Sequence, residues 1–297
     1  MSTQISAAFV EQYSQNVEHL VQQMDSRFAG KTRSESQKGK TKFWEQLGAT
    51  RAVKRTSRHA DTPRVDSSHQ RRACYLNDYD WSDLVDSLDD TKMLIDPKSP
   101  YAQSAAMAFL RAKDEEVIAA ATGTSYADKD GSGATIATVL PSSQKVAVNY
   151  GGSSVGMTLA KLIKTKSILG KNEIPKGSQL YFAYSQQQLD DLLLNVSQVS
   201  NSDYAAVKAL VDGEVSYFMG FEFIKTELLT LTTATDVRTC FAYAKPGILA
   251  AIGQDGQGRI TERADKNYAT QVYYNMSVGA TRMQEAMVVE VMCDESP

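Results

Sequence analysis

The sequence predicts an α+β protein, and three observations carry that expectation. Apolar residues recur at helical steps in two long segments, one at the N-terminus and one following Ser99-Pro100. The last stretch, from Tyr268 onward, alternates or runs apolar as strands do. Between these, from Gly151 to Ala244, short helical and strand patterns are mixed. A chain of 297 residues has room for two compact units or one large one.

Taken in order, the elements are as follows. Ile5, Phe9, Tyr13, Val17, Leu20, Met24 and Phe28 lie three or four residues apart, the period of one helix face. Gly30 is a natural stop. Such a helix would be about 40 Å long. The polar, basic stretch after it offers no partner for its apolar stripe. The helix is therefore expected to pack on a distant part of the chain or on a neighbour. Residues 31 to 76 are poor in apolar side chains, with strand-like pieces only at Phe43–Leu47 and Arg71–Leu76. They read as an extended arm or a long two-stranded loop. Asp96-Pro97 and Ser99-Pro100 each place proline just inside a helix start. Ala102, Ala105, Ala106, Phe109, Leu110, Val117, Ile118 and Ala121 then mark one face, and Gly123 ends the run.

Strands are expected at Ile136–Leu140 and Val146–Tyr150. A helix through Leu159, Leu162, Ile163 and Leu169 closes at Gly170, and a strand follows at Gln179–Tyr184. Ser185 with Gln188 forms a capping box for the next helix. Ser202 caps another through Leu210. Val215–Phe223 and Val237–Ala244 read as strands. Ile248–Ile252 reads as a short apolar piece, a helical turn after Pro246. Asp255-Gly256-Gln257-Gly258 reads as a turn, and Gly279-Ala280-Thr281-Arg282 separates two final strands. No repeat of fixed period is present.

Composition is ordinary for a globular protein, with 42% apolar and 23% charged residues. No apolar run approaches the roughly 20 residues that span a bilayer. The N-terminus has neither the basic nor the apolar region of a secretory signal. Three scattered cysteines, Cys74, Cys240 and Cys293, make no disulfide framework, which places the chain in a reducing cytoplasm. The net charge of −3 conceals an asymmetry. Residues 31 to 72 hold twelve basic against four acidic side chains, a net +8, which leaves −11 for the rest. Of that, −6 lies in residues 77 to 96. A basic segment followed by an acidic one lets copies of the chain pair one with the other. The charge runs are equally readable as solvated surface, and the basic one as a nucleic-acid arm, although only Phe43 and Trp44 offer stacking near it. The intersubunit contact candidates are Arg51, Lys54, Arg55, Arg58, Arg64, Arg71 and Arg72 on the basic side. Asp78, Asp83, Asp86, Asp89 and Asp90 are the acidic ones, and Phe9, Tyr13 and Val17 stand on the N-terminal stripe.

Catalytic chemistry is scarce. Gly151-Gly152-Ser153-Ser154-Val155-Gly156-Met157-Thr158 has the spacing of a phosphate-binding loop, but Met157 stands where the lysine belongs. Asp128-Lys129-Asp130-Gly131 opens like a calcium loop, yet the position for its bidentate glutamate is Val139. His19, His59 and His69 have no ligand spacing with one another or with a cysteine. Cys240 and Cys293 read as buried strand residues. No catalytic residue, metal ligand or cofactor is assigned.

The order of parts is similar to that of tailed-bacteriophage major capsid proteins with the HK97-type fold. Two stretches resemble that family in sequence. One is Met93-Leu94-Ile95-Asp96-Pro97-Lys98-Ser99-Pro100-Tyr101-Ala102, leading into Arg111, Asp114 and Val117-Ile118-Ala119-Ala120. The other is Gly279-Ala280-Thr281-Arg282 followed by Met287-Val288-Val289-Glu290-Val291, where a strand pair closes a sheet in the family. The resemblance implies an N-terminal arm over 1–34, an extended E-loop over 35–80 and a P-domain over 81–150 with its spine helix at 98–122. It further implies an A-domain over 151–240 and returning P-domain strands over 241–297. It implies a non-enzymatic shell subunit, with hexamers and pentamers enclosing double-stranded DNA held by non-specific contact. Portal, scaffolding and decoration proteins would be partners, assembly would occur in the host cytoplasm, and no membrane would be involved. An encapsulin-like compartment of the same fold and a soluble α/β enzyme using the Gly151–Thr158 loop are the alternatives. The chain departs from the founding example in having no long scaffolding segment ahead of the arm, so a separate scaffold or a prior cleavage is expected. It also lacks an evident Lys–Asn pair for cross-linking.

Overall fold

The computed structural model describes residues 22–59, 61–85, 98–128, 135–152, 155–175, 177–195 and 217–296. The chain divides into two compact units. The larger comprises Ser26–Asn77, Ala112–Gln254 and Ser277–Pro297, and the smaller holds the described parts of Met1–Asp25, Asp78–Arg111 and Asp255–Met276.

In chain order, β1 is Arg33–Ser36, β2 Thr41–Leu47, β3 His69–Tyr75 and β4 Asn77–Val85. The helix α1, Lys98–Thr122, covers the span its apolar face predicts and is about 37 Å long. Gly123 ends it, donating its N–H to Ala119 O at 2.9 Å. Short strands β5 (Ser125–Asp128), β6 (Ile136–Thr138) and β7 (Lys145–Val146) follow. Helix α2 (Leu159–Lys171) is capped by Thr158, whose hydroxyl accepts from the Lys161 N–H. After β8 (Leu180–Tyr184), helix α3 (Gln186–Asn195) begins on the expected box, with Gln188 accepting from the Ser185 N–H at 3.0 Å. The expected helix from Ser202 lies outside the described residues.

β9 (Tyr217–Phe218) and β10 (Phe221–Lys225) turn through Met219 and Gly220, both at positive φ, the geometry of a tight hairpin. β11 (Leu231–Thr232), β12 (Val237–Ala244), β13 (Ile248–Arg263), β14 (Ala269–Arg282) and β15 (Val288–Asp294) complete the chain.

The core of the larger unit is a seven-stranded sheet, ordered β7-β15-β12-β8-β10-β9 with β11 also on β12. β12 pairs antiparallel with β15 from Val237↔Asp294 to Tyr243↔Val288, and antiparallel with β8 on its other side. Central strands buried on both faces read as continuous apolar runs, which is why Cys240-Phe241-Ala242-Tyr243 and Val288-Val289 look as they do. Phe182, Phe221, Phe241 and Tyr243 are fully buried, each worth about 2–3 kcal/mol of apolar transfer. A second sheet runs β2-β3-β5-β6, and a third is ordered β1-β13-β14-β4. In the smaller unit, Phe109 of α1 meets the Tyr274 ring edge-on at 6.5 Å, and Tyr273 donates to Asp80 at 2.6 Å.

Five expectations are corrected. Ile248–Ile252 is not a helical turn but the start of β13. The N-terminal helix does not reach Met24 and Phe28, where the described backbone is bends and turns. There the Asp114 carboxylate takes the Arg27 and Phe28 N–H groups and the Ser26 hydroxyl, and Phe28 enters the core to stack on Phe241. Asp255–Gly258 is not a turn but the middle of the 16-residue β13. Its glycines serve close packing, because a Cβ at Gly258 would lie 2.4 Å from the Tyr274 ring. The chain instead turns at Ala264–Lys266, with Asn267 and Tyr268 at positive φ. Gly279–Arg282 likewise does not separate strands, since β14 runs through it. β14 and β15 then enter different sheets rather than pairing. Finally, Val146–Tyr150 is strand only at Lys145–Val146 and turns afterwards.

Candidate functional site

The basic segment forms a hairpin, β2 and β3, in register from Thr41↔Tyr75 to Leu47↔His69. Gly48 N donates to Ser68 O at 2.8 Å, so the hairpin closes there and the described residues between 49 and 68 form a long loop. Among its described residues Arg51, Lys54, Arg55, Arg58 and Arg64 are exposed, as are Val53 and Val65. Arg64 pairs with Asp66 at 3.1 Å, and Arg55 Nε donates to Ser57 O. Both are local contacts that leave the loop's excess of positive charge facing solvent.

Arg71 and Arg72 behave differently, because they belong to the strand. Arg71 lies opposite Glu45 in the register and pairs with it at 3.1 Å. Arg72 points inward and is 2% exposed. It donates to Ser125 Oγ at 2.8 Å and pairs with Glu285 at 2.9 Å. Arg72 therefore has no surface to offer a neighbour and works inside its own chain. Beside it Arg282, fully buried, donates to Ala121 O, Gly123 O and Thr138 O at 2.8–3.1 Å. It thereby satisfies carbonyls left over at the end of α1. Burial pulls the Arg282 guanidinium below its usual value, opposed by Glu285.

On the acidic side, Asp78 is exposed on β4, and Asp83 is half-buried with its carboxylate accepting from the Leu84 N–H. Asp86, Asp89 and Asp90, with Phe9, Tyr13 and Val17, lie outside the described residues. The sequence missed Arg282, Glu285 and Asp114 as organising groups. Arg282 and Asp114 stand inside the two stretches that carry the family resemblance, which was the available signal.

The phosphate-loop look-alike is filled by protein. Asp191 accepts from the Met157 N–H at 3.2 Å, and a Cβ at Gly156 would lie 1.9 Å from the same carboxylate oxygen. A carboxylate in that place repels phosphate. Lys161, fully buried, donates to Val155 O at 2.6 Å and Met292 O at 2.8 Å, so its ammonium is spent on backbone. The free cysteines Cys74, Cys240 and Cys293 are all buried, and burial pushes the Cys74 thiol up to about 12. A thiol so placed is not a nucleophile. Among the described residues no three His, Cys, Asp or Glu side chains are grouped to hold a metal, and no helix is long and apolar enough to cross a membrane. The Asp128–Gly131 stretch that opens like a calcium loop lies largely outside the described residues.

The family model described as phage capsid protein matches residues 5–295. The chain belongs to the phage capsid protein family. It is a major capsid protein of a tailed phage, a structural protein of the virion and not an enzyme. Solved capsids share its fold at low identity. The capsid of cyanophage P-SCSP1u has a TM-score of 0.75 at 15% identity, covering 100% of this chain and 96% of that one. The acid-stable capsid of Helicobacter pylori bacteriophage KHP30 has 0.74 at 10% identity, covering 100% and 98%. Mycobacterium phage Che8 has 0.71 at 13% identity, covering 95% and 97%. No curated protein matches the sequence. The capsid protein thus keeps the HK97-type architecture with little of its neighbours' sequence. Self-assembly into shell oligomers follows from that membership.

Proposed function

We propose that this capsid protein forms hexamers and pentamers of an icosahedral head around double-stranded DNA, with neighbouring copies held through the basic loop of residues 49–68. The observation that carries this is the loop itself. It extends from a hairpin with Arg51, Lys54, Arg55, Arg58 and Arg64 exposed. Ordering such a segment costs on the order of 1–2 kcal/mol per residue in backbone entropy. A neighbour's surface offsets that cost. The acidic stretch beginning with Asp78 and Asp83, and continuing in sequence through Asp86, Asp89 and Asp90, is the complementary surface on the next copy. Arg71 adds its charge at the loop's base. Many such contacts, weak singly, close a stable shell. In this reading residues 1–34 are the N-terminal arm, with Phe9, Tyr13 and Val17 on a neighbour. The loop and its strands are the E-loop, α1 is the spine helix, 151–240 the A-domain, and the remainder the P-domain. Portal, scaffolding and decoration proteins complete the particle, DNA touches it without sequence preference, and assembly takes place in the host cytoplasm.

Negative-stain electron microscopy with light scattering on one purified sample tests the reading. Closed shells or rings of five and six subunits are expected. The double charge reversal Arg55→Glu/Arg58→Glu is expected to leave a soluble, folded protein whose assembled fraction falls at least about tenfold. Normal shells from that variant would remove the electrostatic contact from the account.

A further inference from the structure

Two features set the root of the basic hairpin apart from the rest of the larger unit. Its packing is separate. Trp44, Cys74, Leu249, Ala251 and Met283 form a small apolar cluster distinct from the main core around the seven-stranded sheet. The root's backbone pairs with β5 and Gln46 Nε2 donates to Met283 O at 2.8 Å, but its buried charges meet the body at one point. Arg72 of β3 reaches across to Glu285, in the turn between β14 and β15, and both meet Ser125, just beyond the end of α1. Arg282, which holds the last carbonyls of α1, lies 3.8 Å from the same Glu285 carboxylate. Two buried guanidinium groups thus share one carboxylate, and the Nε atom of each is buried without a hydrogen-bond partner. Such a site is asymmetric. Removing Arg72 leaves one cation matched to one anion, whereas removing the Glu285 charge takes away the carboxylate that both buried guanidinium groups share.

We propose that Arg72 and Glu285 are a clasp holding the hairpin root to the body, and that the root opens as a unit of its own when the clasp is released. Small satellite cores, with few buried apolar contacts, open at lower free energy than the main core. The clasp fixes the direction in which the loop leaves the molecule, and its location beside Arg282 places the end of α1 and the hairpin root on one shared carboxylate. This goes beyond the assembly reading and does not depend on it, because opening is measured on the unassembled protein.

The three buried cysteines make the test. Cys74 lies in the satellite cluster, while Cys240 and Cys293 lie on central strands of the main sheet. Each reacts with iodoacetamide only when its surroundings open, and mass spectrometry follows the three rates separately. In Arg72→Met, Cys74 is expected to be alkylated at least about tenfold faster than in the natural chain, with Cys240 and Cys293 unchanged; tenfold corresponds to about 1.4 kcal/mol of opening free energy. Glu285→Gln is expected to accelerate Cys74 more strongly. Should Glu285→Gln fail to fold, Arg72→Met decides alone, since it leaves no unmatched buried charge. Equal acceleration at all three cysteines would mean that the pair only supports global stability and would overturn the clasp. An unchanged Cys74 rate in Arg72→Met would overturn it as well.

Discussion

Glu295 shows how much one side chain near the end of the chain organises. It accepts from Arg238 Nε at 2.6 Å, Gln188 Nε2 at 2.6 Å and Ser185 Oγ at 3.1 Å, while its own N–H donates to Asp236 O. Burial pushes its carboxyl up. The Arg238 and Gln188 hydrogen bonds, the Arg238 charge and the Ser185 hydroxyl outweigh that, so the carboxyl titrates below its ordinary 4.5. A carboxyl whose folded value is depressed stabilises the fold above its unfolded value. That contribution is lost as pH falls through the folded one. Glu295→Gln is expected to lower stability by about 2 kcal/mol near neutral pH, the worth of charge-assisted hydrogen bonds. In urea titrations the gap from the natural chain should close as the pH drops below about 4. A gap constant with pH would mean the carboxylate charge contributes nothing. The residue scale is also where reading the sequence fell short. Nothing along the chain distinguishes Arg72, buried against Glu285, from Arg71 beside it, paired on the surface with Glu45. Only the alternation of a paired strand separates them.

At the scale of elements, periodicity was a good guide where a helix or strand makes its own pattern. The span of α1, the box opening α3 and the run of β12 were legible because 3.6-residue and continuous apolar patterns are local properties. Glycine was the poor guide. Gly258 and Gly279 look like turn residues, yet each lies inside a long strand. What demands glycine there is a neighbour distant in sequence, a tyrosine ring for Gly258 and the Tyr75 carbonyl for Gly279. A Cβ at Gly279 would lie 2.0 Å from that carbonyl oxygen, which is backbone and cannot swing aside. Gly279→Ala is therefore expected to cost about 3 kcal/mol or more. A urea midpoint within error of the natural chain would contradict this close approach. The last turn of the N-terminal stripe failed for a related reason. Phe28 fits the helical count, but the Asp114 carboxylate and the Phe241 ring hold it elsewhere.

For the whole molecule, the sum of charges matters more than any pair. With a net +8 over residues 31 to 72 against −11 elsewhere, association between copies is expected to be sensitive to salt. Raising ionic strength from about 0.05 M to about 0.5 M shortens the Debye length from roughly 14 Å to roughly 4 Å. The assembled fraction measured by light scattering is expected to fall over that range. Assembly that strengthens with salt would assign the contacts to apolar burial instead, with Val53 and Val65 of the loop as the first residues to examine.

The α+β class, the long central helix and the separation of basic from acidic charge can be read along the chain alone. These follow from composition and short-range pattern, which are fixed before the chain folds. The tertiary structure decided which of the charged residues are surface and which are internal ties. It decided that β14 and β15 part into different sheets and that a carboxylate fills the apparent phosphate loop. Each of those depends on what lies opposite a residue across tens or hundreds of positions. In Arg72 and Glu285, 213 residues apart, that opposition turns two ordinary surface-type side chains into an internal tie.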